Sequence, residues 1–162
     1  MPDQVGLSIL NRRSFLASAA TAAALTPFLA RADTSEPPAL ERSQKFADDF
    51  AKIVGSSKPV EGRIAVDLPE TAENGNFVPI TISVDSPMTE ADHVTAIHLL
   101  STANPFAHVA TFRLSPLNAV ARVQSRMRLA KTQDVVTLAE LSSGEMLIAT
   151  TLVKVTIGGC AS

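Results

Sequence analysis

The sequence predicts a mainly β fold: an immunoglobulin-like antiparallel β-sandwich with one N-terminal helix and a flexible C-terminal arm. Three observations predict it. Beyond residue 58 the apolar side chains recur at every second position, the period of a half-buried strand. About seven such stretches fit into roughly 100 residues, divided by Gly, Pro and Asn turn signals. No helical pattern falls between them, which disfavours a βαβ arrangement with its crossover helices.

The elements follow in order. Residues 33–38 (DTSEPP) are polar and proline-rich, a tether. From 39 to 54 the spacing is helical, with Phe46, Ala47, Phe50, Ile53 and Val54 on one face. Glu41 with Lys45 and Asp48 with Lys52 form i,i+4 pairs on the other, and Gly55 stands where a glycine stops a helix. The first strand is expected at 62–68, then a turn at 74–76 in which Gly75 takes positive φ. Residues 77–85 alternate cleanly, and Pro79, with no N–H, is expected either on an edge strand or near the strand's start. Strands at 93–102 and 107–114 are joined across Asn104-Pro105. In 118–129, Ala119, Ala121, Val123, Met127 and Leu129 face inward and Arg122, Gln124, Arg126 and Arg128 outward. Residues 133–141 are apolar on both faces, as in a central strand. After a Ser143-Gly144 turn, 146–157 carries Leu147, Ala149, Val153, Val155 and Ile157 on one face.

The start of the chain reads as an address. Arg12-Arg13-Ser14-Phe15-Leu16, an alanine-rich apolar run and the Ala30-Arg31-Ala32 cut site have the order of a Tat export signal. Ser18, Thr21, Thr26 and Pro27 interrupt the run, which falls short of the roughly 20 apolar residues of a membrane span. The expected organisation is a signal at 1–32, tether and helix at 33–58, sandwich at 59–157 and arm at 158–162. The product is periplasmic, with no membrane attachment after cleavage.

Composition removes several functions. The 162 residues carry a formal charge of −2, against a nucleic-acid binder that works through bulk charge. Trp and Tyr are absent, so base-stacking platforms are not expected. There is no phosphate loop, no G-x-S-x-G and no H-E-x-x-H. His93 and His98 point to opposite faces of one strand; His98 and His108 can meet across a hairpin, but two histidines make a poor metal site. No cofactor is expected.

The chemistry falls on the single cysteine, Cys160. It follows Gly158-Gly159, which end a long strand and confer freedom on the residue after them. A thiol on a thin arm can enter a narrow funnel in another protein, whereas a catalytic pocket needs its nucleophile held among fixed groups. The alternatives are an inert cysteine, a Cys160–Cys160 crosslink in an adaptor protein, and a stand-alone thiol sulfurtransferase. Arg122, Arg126 and Arg128 form a candidate docking face, or simply a solvated one.

Four segments carry a family resemblance: DLPETAENGNFVPITISVDSPMT (67–89), ADHVTAIHLLSTANPFAHVATFRL (91–114), RMRLAKTQDVVTLAELSSG (126–144) and VKVTIGGC (153–160). They resemble SoxY, the sulfur-carrier subunit of the periplasmic thiosulfate-oxidising Sox system. The family ends in Gly-Gly-Cys-Gly-Gly; here Gly158, Gly159 and Cys160 match, and Ala161 and Ser162 depart. The resemblance implies a non-catalytic protein whose cysteine carries the sulfur substrate covalently, in a heterodimer with a SoxZ-like subunit. It also implies transient contact with SoxXA-, SoxB- and SoxCD-like enzymes. Their haem, manganese and molybdenum belong to those partners.

Overall fold

A computed structural model describes residues 40–159. The expected signal, most of the tether, and Cys160, Ala161 and Ser162 lie outside the described residues.

The helix α1 spans Gln44–Val54 and starts later than its apolar periodicity suggests. Ser43 sets the start, because its side-chain oxygen accepts the Phe46 N–H at 3.1 Å. Gly55 ends it at φ 55°, its N–H bonding the Ala51 carbonyl, as expected. Phe46 is the buried anchor, and Ala47 is exposed rather than on the packing face. The expected Asp48–Lys52 pair is replaced by Lys52 on Asp49 at 3.7 Å, while Asp48 accepts from Gln44. Ser43 N–H donates to the Thr102 carbonyl and Arg42 lies 3.6 Å from Asp134, so the helix start is tied to the sheet beneath it.

Among the described residues nine strands follow: β1 (Val60–Glu61), β2 (Ile64–Asp67), β3 (Thr71–Asn74), β4 (Val78–Val84), β5 (Val94–Ser101), β6 (His108–Arg113), β7 (Ala121–Met127), β8 (Gln133–Leu141) and β9 (Met146–Ile157). The larger sheet runs β1-β9-β8-β5-β6, with β3 also on β9; the smaller runs β2-β4-β7. This is the expected mainly β sandwich. Its pairs are antiparallel except β1 and β3, which both lie parallel to β9. The chain thus changes sheets twice between residues 60 and 74. It turns at Gly62 (φ 124°) and Arg63 (φ 59°), and the Arg63 side chain holds the bend by donating to the Asp85 carbonyl.

The core lies between the sheets. Val78, Ile80, Ile82 and Val84 of β4 point into it, against Ile97, Leu99, Val135, Leu141 and Leu147. A second cluster on the outer face of the large sheet joins Phe46 to Leu100, Val136, Leu138 and Met146. Strand β8 lies between these two clusters, which is why it is apolar on both faces.

Several expectations change. Strand β4 is central in its sheet rather than at an edge, and it is the other expectation that holds: the strand begins at Val78, next to Pro79. Pro79 is tolerated because the β2 ladder stops at Asp67↔Thr81, leaving β7 as the only neighbour at that point. Strand β7 starts at Ala121; Asn118 ends a 3-10 turn and Ala119 follows at φ 57°, exposed rather than in the core. Ile157 is exposed as well.

Candidate functional site

The site is assembled around the last described residues before Cys160. Strand β9 first pairs with β8, from Met146 to Val153. Its final turn of residues is taken over by β3, in the register Thr71↔Lys154, Ala72↔Val155 and Asn74↔Ile157. The backbone then threads between two segments. Gly75 N–H donates to the Ile157 carbonyl at 2.7 Å, Leu129 N–H to the Gly75 carbonyl at 2.8 Å, and Gly159 N–H to the Leu129 carbonyl at 2.8 Å.

This closeness explains the glycines. A Cβ on Gly159 would sit 2.5 Å from the Gly75 oxygen, and one on Gly75 would sit 2.6 Å from the Gly159 nitrogen. A Cβ on Gly158 would overlap the Ala130 carbonyl. None of the three has the positive φ that marks Gly55, Gly62 and Gly144. Gly158 and Gly159 were expected to confer freedom on the arm. The structure gives them a packing role, because three backbone segments meet where no side chain fits. The positive φ expected at Gly75 is corrected for the same reason. Gly159 is buried, so the chain is held up to the residue before the thiol.

The floor under the glycines is fixed by two amides that the sequence reading left unassigned. Asn104 Nδ2 donates to the Arg128 carbonyl at 2.7 Å, and its Oδ1 accepts from Ala130 N–H at 2.9 Å and from Gln133 Nε2 at 2.8 Å. Gln133, fully buried, also accepts the Ala103 N–H at 2.8 Å. The signal was a glutamine opening a strand whose residues are mostly apolar. Replacing Asn104 by alanine takes the acceptor from Ala130 N–H and leaves Gln133 Nε2 with the Lys131 carbonyl alone. It should cost about 1–3 kcal/mol in denaturant unfolding, with a larger loss of amide-exchange protection at Ala130 than in β4.

The histidines meet, but as a structural network. His98 Nδ1 and His108 Nε2 lie 2.9 and 2.8 Å from Thr111 Oγ1, and His98 Nε2 lies 2.9 Å from Glu140 Oε1. Among the described residues, no group of three or more His, Cys, Asp or Glu side chains could hold a metal ion. Nor is any helix there long and apolar enough to cross a membrane. The three arginines are exposed but divided. Arg126 and Arg128 border one groove, while Arg122 borders another hollow with Val120 and Ser86.

Comparison with known proteins decides the family. The family model described as "Sulfur oxidation protein SoxY" matches residues 50–160, the larger part of the chain, and includes Gly158, Gly159 and Cys160. The chain belongs to the SoxY family. Among solved structures it is similar to the sulfur carrier protein SoxY from Chlorobium limicola f. thiosulfatophilum. The identity is 36%, the match covers 70% of this chain and 97% of that one, and the TM-score is 0.59. Superoxide reductase (neelaredoxin) from Ignicoccus hospitalis is similar at 18% identity, over 58% of this chain and 80% of that one, with a TM-score of 0.52. That likeness shows the shared sandwich alone. No curated protein matches the chain by sequence.

Proposed function

We propose that this SoxY-family protein is a covalent carrier of sulfur intermediates in thiosulfate oxidation, with Cys160 as the attachment point. The observation that carries the proposal is the mount. Gly158 and Gly159 are built into a close three-segment backbone contact, and the chain's only cysteine comes next. A fixed mount with the thiol directly after it suits presentation to other proteins.

The chemistry asks little of the carrier. The Cys160 thiol and thiosulfate join through a new S–S bond, releasing one proton and two electrons to a SoxXA-like haem enzyme. Water then cleaves the terminal S–S bond of the adduct in a SoxB-like hydrolase. Sulfate leaves, and a persulfide stays on the cysteine. A SoxCD-like enzyme, where present, oxidises the remaining sulfur. The carrier supplies attachment and position, and the metals that move electrons or activate water sit in the partners. A SoxZ-like subunit completes a heterodimer, and the twin-arginine leader takes the folded protein to the periplasm.

Intact-mass spectrometry of the protein from thiosulfate-grown cells tests this reading. The expected result is a set of sulfur and thiosulfate additions on Cys160 that a reductant removes. A spectrum with only free thiol and a Cys160–Cys160 dimer would overturn it in favour of a crosslinked adaptor.

A further inference from the structure

Charge is distributed unevenly along the chain. Residues 93–133 contain Arg113, Arg122, Arg126, Arg128 and Lys131 and no Asp or Glu. The other described residues hold thirteen acids against six Lys and Arg. Two of these cations, Arg126 and Arg128, stand at one groove, which the edge strands β6 and β7 of the two sheets line together.

That groove, about 450 Å³, combines charge with exposed aromatics. Phe106 is 76% and Phe77 57% exposed, and the Arg126 guanidinium lies over the Phe77 ring, 4.5 Å from its centre. Val109 and Arg128 complete the apolar and cationic walls. Arginine and large aromatics are the side chains that contribute most at protein interfaces, and a guanidinium stacked on a ring is already held for contact. The groove also adjoins the mount. Asn76 follows Gly75, which donates to the Ile157 carbonyl, and Arg128 precedes Leu129, whose carbonyl accepts from Gly159.

We infer that this groove is the docking face for an arm-receiving enzyme whose entrance is rimmed by carboxylates and carries an apolar side chain for the Phe77–Phe106 cleft. The inference rests on the carrier reading and adds the surface by which the carrier meets its enzymes. Opposite charge at the rim speeds and orients encounter, and salt weakens it. A partner seated here lies beside the segments that pack around Gly159, the last described residue before Cys160.

The test compares the wild-type heterodimer, loaded with thiosulfate on Cys160, with the Arg126→Glu/Arg128→Glu double variant as substrates of the SoxB-like hydrolase. Lys52→Glu, on the distant helix, controls for charge alone. The expected result is a KM raised about tenfold or more in the double variant, kcat within about twofold, and wild-type KM rising with salt while the variant's does not. Phe106→Ser should raise KM without changing the salt dependence. Unchanged KM in a loaded double variant overturns the inference and leaves the carrier reading intact. So does loss of SoxZ-like subunit binding, which would make the groove the heterodimer interface. A wild-type chain that takes up no sulfur on Cys160 overturns the carrier reading itself.

Discussion

Replacing Cys160 by serine is expected to abolish sulfur loading and to reduce thiosulfate-dependent electron flow in the reconstituted pathway to background. Serine keeps the size and polarity of the side chain but removes its chemistry. A thiol ionises near neutral pH, and its thiolate is the nucleophile; an unactivated hydroxyl does neither, and an S–S bond needs sulfur on both sides. There is no second cysteine to take over. The fold should be unaffected, since the described residues already close the sandwich with backbone bonds up to Gly159. Two measurements check this: unchanged thermal unfolding, and no mass addition after incubation with thiosulfate and the SoxXA-like enzyme. Normal electron flow from the serine variant would end the covalent-carrier reading.

The second large effect is expected at Gly159, one residue earlier and for an unrelated reason. An alanine Cβ there would lie 2.5 Å from the Gly75 oxygen, 2.8 Å from its carbonyl carbon and 3.0 Å from the Asn76 nitrogen. All three are backbone atoms, so no side chain can swing aside. The hydrogen bonds Gly159 N–H to Leu129 and Leu129 N–H to Gly75 must stretch or break. Overpacking of this kind costs about 3 kcal/mol, toward the upper end of its usual range. In a domain of this size that lowers Tm by about 10 °C. The Gly75→Ala variant should behave alike, because it closes the same gap from the other side. Both should also load sulfur less uniformly, since the mount has lost its fixed path. An unchanged Tm would mean that the two glycines are a loose link after all.

Much of the sandwich was legible in the sequence, and what was not has a common cause. Strand β4 shows its alternation because one face meets the core and the other meets water. Strand β8 reads as central because it is buried on both faces, and β9 matches its expected bounds because a long apolar face needs no other cue. Strand β3, Thr71–Asn74, left no such trace. Its sequence TAEN has little to bury; it pairs with β9 through backbone groups, which every residue carries. The glycines at 158 and 159 were legible as necessary, but their packing role was not. A sequence shows that a residue has no Cβ, and the lack of one serves rotation and close packing alike. Only the position of Gly75 and Ala130 across the gap separates the two. Gln133 and Asn104 escaped because a buried amide is recognised by its partners, which lie about thirty residues apart in the chain.

The pairing of β3 with β9 also bears on when the carrier becomes competent. Residues 71–74 meet residues 154–157, so the mount closes only when early and late parts of the domain come together. Contacts so far apart in sequence form late, after the loop-closure entropy has been met by other pairings. The mount at Gly159 is therefore closed only once the sandwich is complete. A half-folded chain would still have the cysteine, but without the closed mount before it. Maturation and readiness to accept cargo are in this way a single event, and a partner that recognises the assembled mount selects finished molecules without a separate proofreading step.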